Sequence, residues 1–424
     1  VSAPGQSPMA SLGRFMEKYG EKTISAIHIL PCFPYTSDDG FSVVDYKTID
    51  PNLGDWDDIS QLANDFNLML DAVLNHVSSQ NHWFKSYLAG DPEYTDFFIE
   101  AQEDVDYSSV VRPRDLPLFT KFNTSMGKKK LWTTFSEDQL DLNFGNPKVL
   151  LKILDVLIFY AQKGARFIRL DAIGFIWKKT GTTCLSLPET HAIIQVMRSV
   201  LEQVVPGTLL ITETNVPHHE NISYFGNGEN EAHLIYQFAL PPLVLFSMIT
   251  GNTSKLTKWA QNLKQPEGNC SFLNFLASHD GIGVRPVEGI LSQSEIEVMA
   301  QATQERGGRV SWKSNSDGTK SRYELNIAYR DAVAPPGVDI NTRVDAMIAA
   351  NSVLLALRGV PAIYFHSFVG SGNDYKGLEE SNINRRINRK KFNWDELTEK
   401  LDDKTRINHK INWALIALAA IRKK

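Results

Sequence analysis

In "RFIRLDAIGF" (Arg166–Phe175), Arg169 and Asp171 stand two residues apart at the end of an apolar run, where a buried strand ordinarily continues with Val or Ile. Residues i and i+2 of a strand face the same way, so both side chains share one face. A single pair of this kind can be a neutralised strand end and nothing more. Other apolar runs of the chain, however, end in the same fashion. "LMLDAVLNH" (Leu68–His76) carries Asp71, Asn75 and His76; "LLITET" (Leu209–Thr214) carries Glu213; "FLNFLASHD" (Phe272–Asp280) carries His279 and Asp280. On one rim, Asp171, Glu213 and Asp280 would repel one another, and their pKa values would have to separate. One ionised carboxylate and one protonated carboxylic acid are the pair with which a retaining glycosidase works. Arg169 favours the charged form of Asp171 and so marks it as the nucleophile, while His76 and His279 can donate to sugar hydroxyls.

Bringing these strand ends together requires neighbouring, co-directional strands. Seven apolar runs qualify, namely the four above with "AIHIL" (Ala26–Leu30), "HLIYQF" (His233–Phe238) and "AIYFH" (Ala362–His366). Continuous apolar runs suit parallel strands covered on both faces. Amphipathic helices are predicted between them, after Pro147, over "HAIIQVMRSVLEQV", and over "VDAMIAANSVLLALRG" with Gly359 as its cap. Repeated strand–helix alternation predicts an α/β fold, a (β/α)8 TIM barrel.

Two connections are too long for simple loops, and both follow strand C-terminal ends, the face where barrels place their active sites. The expected division is barrel over 1–76, an inserted subdomain after strand 3 over 77–145, barrel over 146–283, a second insertion after strand 7 over 284–340, and barrel over 341–424.

Composition narrows the surroundings. A formal net charge of −5 gives no basic footprint for nucleic acid, and no apolar run is long enough to span a membrane. Three scattered cysteines, Cys32, Cys184 and Cys270, form neither a disulfide framework nor a zinc pattern, which suits a cytoplasmic protein. A metal-dependent barrel hydrolase usually carries His-x-His on its first strand; no such motif occurs, so no metal is expected. A non-catalytic protein on the same scaffold, and a hydrolase or transglucosidase using the same acids, remain alternatives on these residues alone.

The segments "DAVLNH", "FIRLDAIGF", "ITETN" and "FLASHD" resemble, in order, the four motifs of the α-amylase superfamily (glycoside hydrolase family 13). The resemblance implies Asp171 as nucleophile, Glu213 as general acid/base and Asp280 as transition-state stabiliser, with Arg169, His76 and His279 around the glucosyl ring. "SDDGFSVVDYKTIDPNLGDWDDI" (Ser37–Ile59), "SHDGIG" (Ser278–Gly283) and "RINRKKF" (Arg386–Phe392) resemble the sucrose phosphorylase-like branch. That similarity implies Asp38 and Arg389 at the 4-hydroxyl side, Phe41 and Gln139 in the pocket, Tyr323 and Glu324 in a loop near the acceptor, and Arg114 of "VRPRDLP" (Val111–Pro117) at the phosphate, with Arg112 beside it. It further implies phosphate as co-substrate, a small sugar as substrate and no cofactor. "ITETNVPHHENISYFG", "IYQFALPPLVL" and "LWTTFSEDQLDLN" are most similar to members that phosphorolyse glucosylglycerate; those acting on glucosylglycerol or sucrose are next. Arg322, before Tyr323, departs from the small residue or proline expected there.

Relatives of that branch open with a further strand and close with a small β-domain. The expectation for this sequence is a fragment in which the first strand and the C-terminal β-domain are missing, with "AIHIL" and "AIYFH" as unpaired edges.

Overall fold

The computed structural model describes residues 1–20, 23–114, 116–314 and 319–423; Asp115 of "VRPRDLP" and residues 315–318 of the second insertion lie outside them. Seven strands form one curled parallel sheet: β1 (Ala26–Ile29), β2 (Asn67–Val73), β3 (Ala165–Asp171), β4 (Leu209–Thr212), β5 (Leu234–Tyr236), β6 (Ser271–Phe275) and β7 (Val360–Ala362). Spatial order follows chain order, with every adjacent pair parallel. Sequential strands joined by crossovers are the arrangement of a βα barrel wall.

The sheet forms because its strands can be covered on both faces. Six of the seven residues of β2 are buried, as are the last four of β3. The helix Pro147–Gln162 between them begins at Asn146, whose side chain accepts from the Lys148 N–H, with proline at the first helical position, where its missing N–H costs nothing. Its apolar stripe, including Val149, Ile153, Leu157 and Tyr160, is fully buried. Stripe and strand together remove the apolar surface from water that stabilises the fold.

The two long connections are built differently from the wall. The first carries the antiparallel pair His76–Ser78 with Gln139–Asp141, the helix His82–Ala89 and the hairpin Phe119–Thr124 with Gly127–Trp132. The second carries a three-stranded antiparallel sheet of Ile282–Gly283, Lys320–Asn326 and Arg309–Ser314, backed by the helix Gln293–Glu305.

Two local expectations are corrected. The strand assigned to "AIYFH" is Val360–Ala362, which ends where that segment begins; Phe365 already starts a short helix, and the Tyr364 hydroxyl reaches the Asn388 carbonyl. Gly359 does not cap the preceding helix, which ends at Ala356 and continues into extended Leu357. Its φ of +136° serves the approach to β6, since a Cβ there would lie 2.8 Å from the Phe272 carbonyl oxygen.

Edge strands of the sheet are β1 and β7. Ser2 bridges Asn393 in parallel fashion, and the helix Pro8–Tyr19 follows. Among the described residues no helix is long and apolar enough to cross a membrane.

Candidate active site

Asp71 and Arg169 are direct register partners on β2 and β3, and their side chains meet in a hydrogen-bonded ion pair. Asp71 is fully buried and also takes His28 Nε2 from β1 at 2.7 Å. Arg169 turns its Nη1 to Asp171 Oδ1 at 2.7 Å, and its Nη2 lies 3.9 Å from Glu213 Oε2. A chain of hydrogen-bonded polar side chains therefore runs across three adjacent strands and ends at the predicted nucleophile. Asp171 closes β3, and the next residue, Ala172, adopts φ +47°. This left-handed turn is costly for a residue with a Cβ. It aims the Ala172 N–H at Glu213 Oε2, 2.9 Å away. Glu213 itself follows β4 directly, with its N–H on the Leu170 carbonyl at 3.1 Å.

Electrostatics divides the three acids. Burial pushes the Asp171 carboxyl up to about 8, against the pull of Arg169 and with a further push from Glu213. Burial raises Glu213 too, opposed by Arg169 and reinforced by Asp280. Both carboxyls are raised, and Asp171 feels the charge of Glu213, so the two titrate as a pair. Asp171 has the direct guanidinium hydrogen bond, whereas Glu213 has a single backbone N–H. That contact favours the charged form at Asp171, against the burial that raises it. Asp280 goes the other way: burial alone would raise it, but the guanidinium groups of Arg385 and Arg389 outweigh burial and hold it well below the usual carboxylate range. Arg385 Nη1 stands 2.6 Å from Asp280 Oδ1 and Arg389 Nη2 at 3.5 Å.

The three acids line one cavity of about 780 Å³. Phe41 and His279 stack in its wall, centroids 4.8 Å apart and planes 7° from parallel. Two donors hold the Phe41 carbonyl, Gln139 Nε2 at 2.9 Å and His76 Nε2 at 2.8 Å. Burial lowers the pKa of both histidines, to about 3 for His279, so both rings are neutral. His76 lines the cavity, but with both nitrogens engaged by Phe41 and Asn75 it shapes the wall instead of offering a free donor.

Asp38, Arg112, Arg114, Tyr323 and Glu324 also face the cavity. Asp38 is bound by Arg114 Nη2 at 2.6 Å, and Arg389 Nη1 stands off at 3.9 Å. Arg389 is not in the cavity wall. It is buried one layer behind, its Nε on the His279 carbonyl at 2.7 Å and its Nη1 on Asp39 at 3.0 Å. From there it braces His279, Asp39 and Asp280 and stays beside Asp38. Arg385, which nothing in its sequence context marks, is the arginine of its segment that reaches the cavity. It grips Glu324 with two hydrogen bonds, at 2.9 and 3.1 Å, while touching Asp280. In the sequence it is one of several arginines in "NRRINRKK", and only the turn Asn384–Asn388 singles it out. Phe135 was missed as well; its ring lies 5.2 Å from His76 and under Arg114 at 5.7 Å. Arg322, the noted departure, lies 3.6 Å over the Trp312 ring and pairs with Glu297, so it braces a cavity-lining tryptophan. Among the described residues no group of three or more His, Cys, Asp or Glu is placed to hold a metal ion.

Comparison with known proteins gives concordant matches. The family described as alpha amylase, catalytic domain, matches residues 20–289. A glucosylglycerate phosphorylase of Spirochaeta thermophila is 47% identical over 420 residues, 99% of this chain and 71% of that protein. One from Allomeiothermus silvanus is 50% identical over 405 residues, 95% of this chain and 73% of that protein. The crystal structure of sucrose 6F-phosphate phosphorylase from Thermoanaerobacter thermosaccharolyticum superposes with a TM-score of 0.87 at 25% identity, covering 100% of this chain and 86% of that one.

Proposed function

Because the chain belongs to the alpha-amylase family, we propose that it is a glycoside phosphorylase that transfers a glucosyl group from an α-glucoside, glucosylglycerate by preference, to phosphate. The relatives at 47–50% identity carry that activity in their names. The observation that carries the chemistry is geometric: Asp171 is hydrogen-bonded to Arg169 at 2.7 Å, and Glu213 takes the N–H of the next residue, Ala172, at 2.9 Å.

In this reading Asp171 attacks the anomeric carbon as the bond to glycerate breaks, and Glu213 gives its proton to the departing oxygen. A β-glucosyl ester on Asp171 results. Phosphate then enters on the face that glycerate has left and gives its proton back to Glu213 as its oxygen bonds to the same carbon and Asp171 departs as carboxylate. Two inversions give α-glucose 1-phosphate with net retention. Asp280, ionised under Arg385, stabilises the positive charge that develops on the sugar ring at both transition states. Stacked Phe41 and His279 offer a flat face to the ring.

The two excursions, residues 77–145 and 284–340, shape the acceptor side. Arg114, on the first, is the cation we assign to phosphate, which a planar guanidinium binds through two oxygens. No cofactor enters the scheme. Three unbonded cysteines fit a cytoplasmic setting.

The deciding experiment measures release of glycerate from glucosylglycerate with and without phosphate, beside glucosylglycerol and sucrose. Phosphate-dependent formation of α-glucose 1-phosphate, fastest from glucosylglycerate, is the expected result. Turnover indifferent to phosphate would make the enzyme a hydrolase or transglucosidase.

A further inference from the structure

Resting on the reading that the acceptor carries a carboxylate, we propose that Arg285 binds that carboxylate and so selects glycerate over neutral polyols. Most cations in the cavity wall are already committed to an acid. Arg114 is on Asp38 at 2.6 Å, Arg385 on Asp280 at 2.6 Å, and Lys313 stands 3.5 Å from Glu288. Arg285 lines the same cavity, and its guanidinium makes no hydrogen bond or ion pair with any described residue. Arg112 also lacks an acid, but it rides on the Arg114 loop, 3.5 Å from the Leu116 carbonyl, and belongs with the phosphate side.

The backbone that carries Arg285 is fixed, and fixed on the flank where the acceptor must lie. Ile282 and Gly283 pair with Leu325 and Glu324, and the Val284 N–H bonds the Tyr323 carbonyl at 3.1 Å. Gly283 packs so close to Asn215 that a Cβ would lie 2.9 Å from its side-chain amide. Asn215 is two residues beyond Glu213, whose proton must meet the oxygen joining sugar to acceptor. Arg285 therefore projects from the acid/base side of the cavity. A guanidinium offers two parallel N–H donors that match a carboxylate and find no counterpart in a hydroxymethyl group. Glycerate and glycerol differ by that one substitution.

The test runs the full chain in the synthetic direction, from α-glucose 1-phosphate, with glycerate and glycerol as acceptors, for wild type, Arg285→Ala and Arg285→Lys. In Arg285→Ala the KM for glycerate should rise roughly tenfold or more, while that for glycerol shifts by less than about threefold. Arg285→Lys, which keeps the charge and loses the fork, should fall between, and it decides the matter if the alanine variant does not fold. Equal losses on both acceptors, or a rise confined to the phosphate KM in the forward reaction, would overturn the assignment. A wild type that uses glycerate, with variants that use it equally well, removes Arg285 alone. A wild type that ignores glycerate and accepts glycerol removes the substrate reading on which the assignment rests.

Discussion

Arg114 Nη2 stands 2.6 Å from Asp38 Oδ2. Burial would raise the Asp38 carboxyl, but Arg114, Arg385 and Arg389 together draw it down to about 2. The arginine assigned to phosphate is thus held by a carboxylate at the mouth of the glucosyl site, and phosphate must compete with Asp38 for it. Arg114→Ala should raise the phosphate KM at least about tenfold and slow hydrolysis of the same donor far less. Arg114→Lys should recover only part of the loss, since a point charge replaces a fork. Steady-state kinetics at varied phosphate checks both, and equal losses in phosphorolysis and hydrolysis would remove Arg114 from the phosphate site.

The roles of Asp171 and Glu213 are separable by the product that azide forms. Asp171→Ala should lower turnover by about 10⁴-fold or more. With the nucleophile gone, azide attacks an α-glucosyl donor once, from the face opposite the leaving group, and gives the β-azide. Glu213→Ala keeps the nucleophile, so azide intercepts the glucosyl-enzyme and gives the α-azide. NMR assignment of the two anomers settles the order; reversed products would exchange the roles.

Because Glu213 must carry a proton, activity should fall on the alkaline side as pH rises through its raised pKa. An α-glucosyl fluoride needs no proton on its leaving group, so its alkaline limb should vanish in kcat/KM profiles. Stability follows the same sign. A carboxyl whose pKa is raised by folding favours the fold fully below its unfolded value, and that contribution is lost as pH climbs through the folded one. Glu213→Gln is neutral throughout, so its Tm advantage over wild type should grow as pH rises from the ordinary carboxylate range through the raised Glu213 pKa. A constant difference in thermal melts across that range would falsify the shift.

Asp280 is depressed, so its contribution has the opposite sign, present above the unfolded pKa and lost as pH falls through the folded one. Arg385→Met removes the nearest cation and leaves burial to dominate. Tm should drop at neutral pH and converge on wild type in acid, and kcat should fall by roughly 10²-fold as transition-state charge loses its partner. A variant with full kcat would show that Arg389 alone suffices.

The catalytic strand ends were legible because the signal is local: an acid at the end of an apolar run stands out within ten residues. The sheet was legible for the same reason, through its strand–helix alternation. What escaped depends on distant partners. "NRRINRKK" reads as a solvated charge run, yet Arg385 and Arg389 are folded against Asp280 and Asp39, more than a hundred residues away. His76 reads as a free donor, and only the tertiary fold puts the Phe41 carbonyl 2.8 Å from its ring nitrogen. At β7, Pro361 and a three-residue length hide the strand, and the more apolar "AIYFH" attracts the assignment.

The three-stranded sheet of the second excursion is separate from the seven-stranded one, yet it brings Trp312, Lys313, Tyr323 and Glu324 to the cavity. The glucosyl end is set into the wall by β2, β3 and β4, where a one-residue slip would turn every side chain away. The molecule therefore keeps its catalytic acids and much of the rest of its cavity wall on different pieces of backbone. Exchanging residues 309–326 for the equivalent hairpin of another such enzyme would retune which partner the sugar is handed to, as a tool head is changed on a fixed spindle.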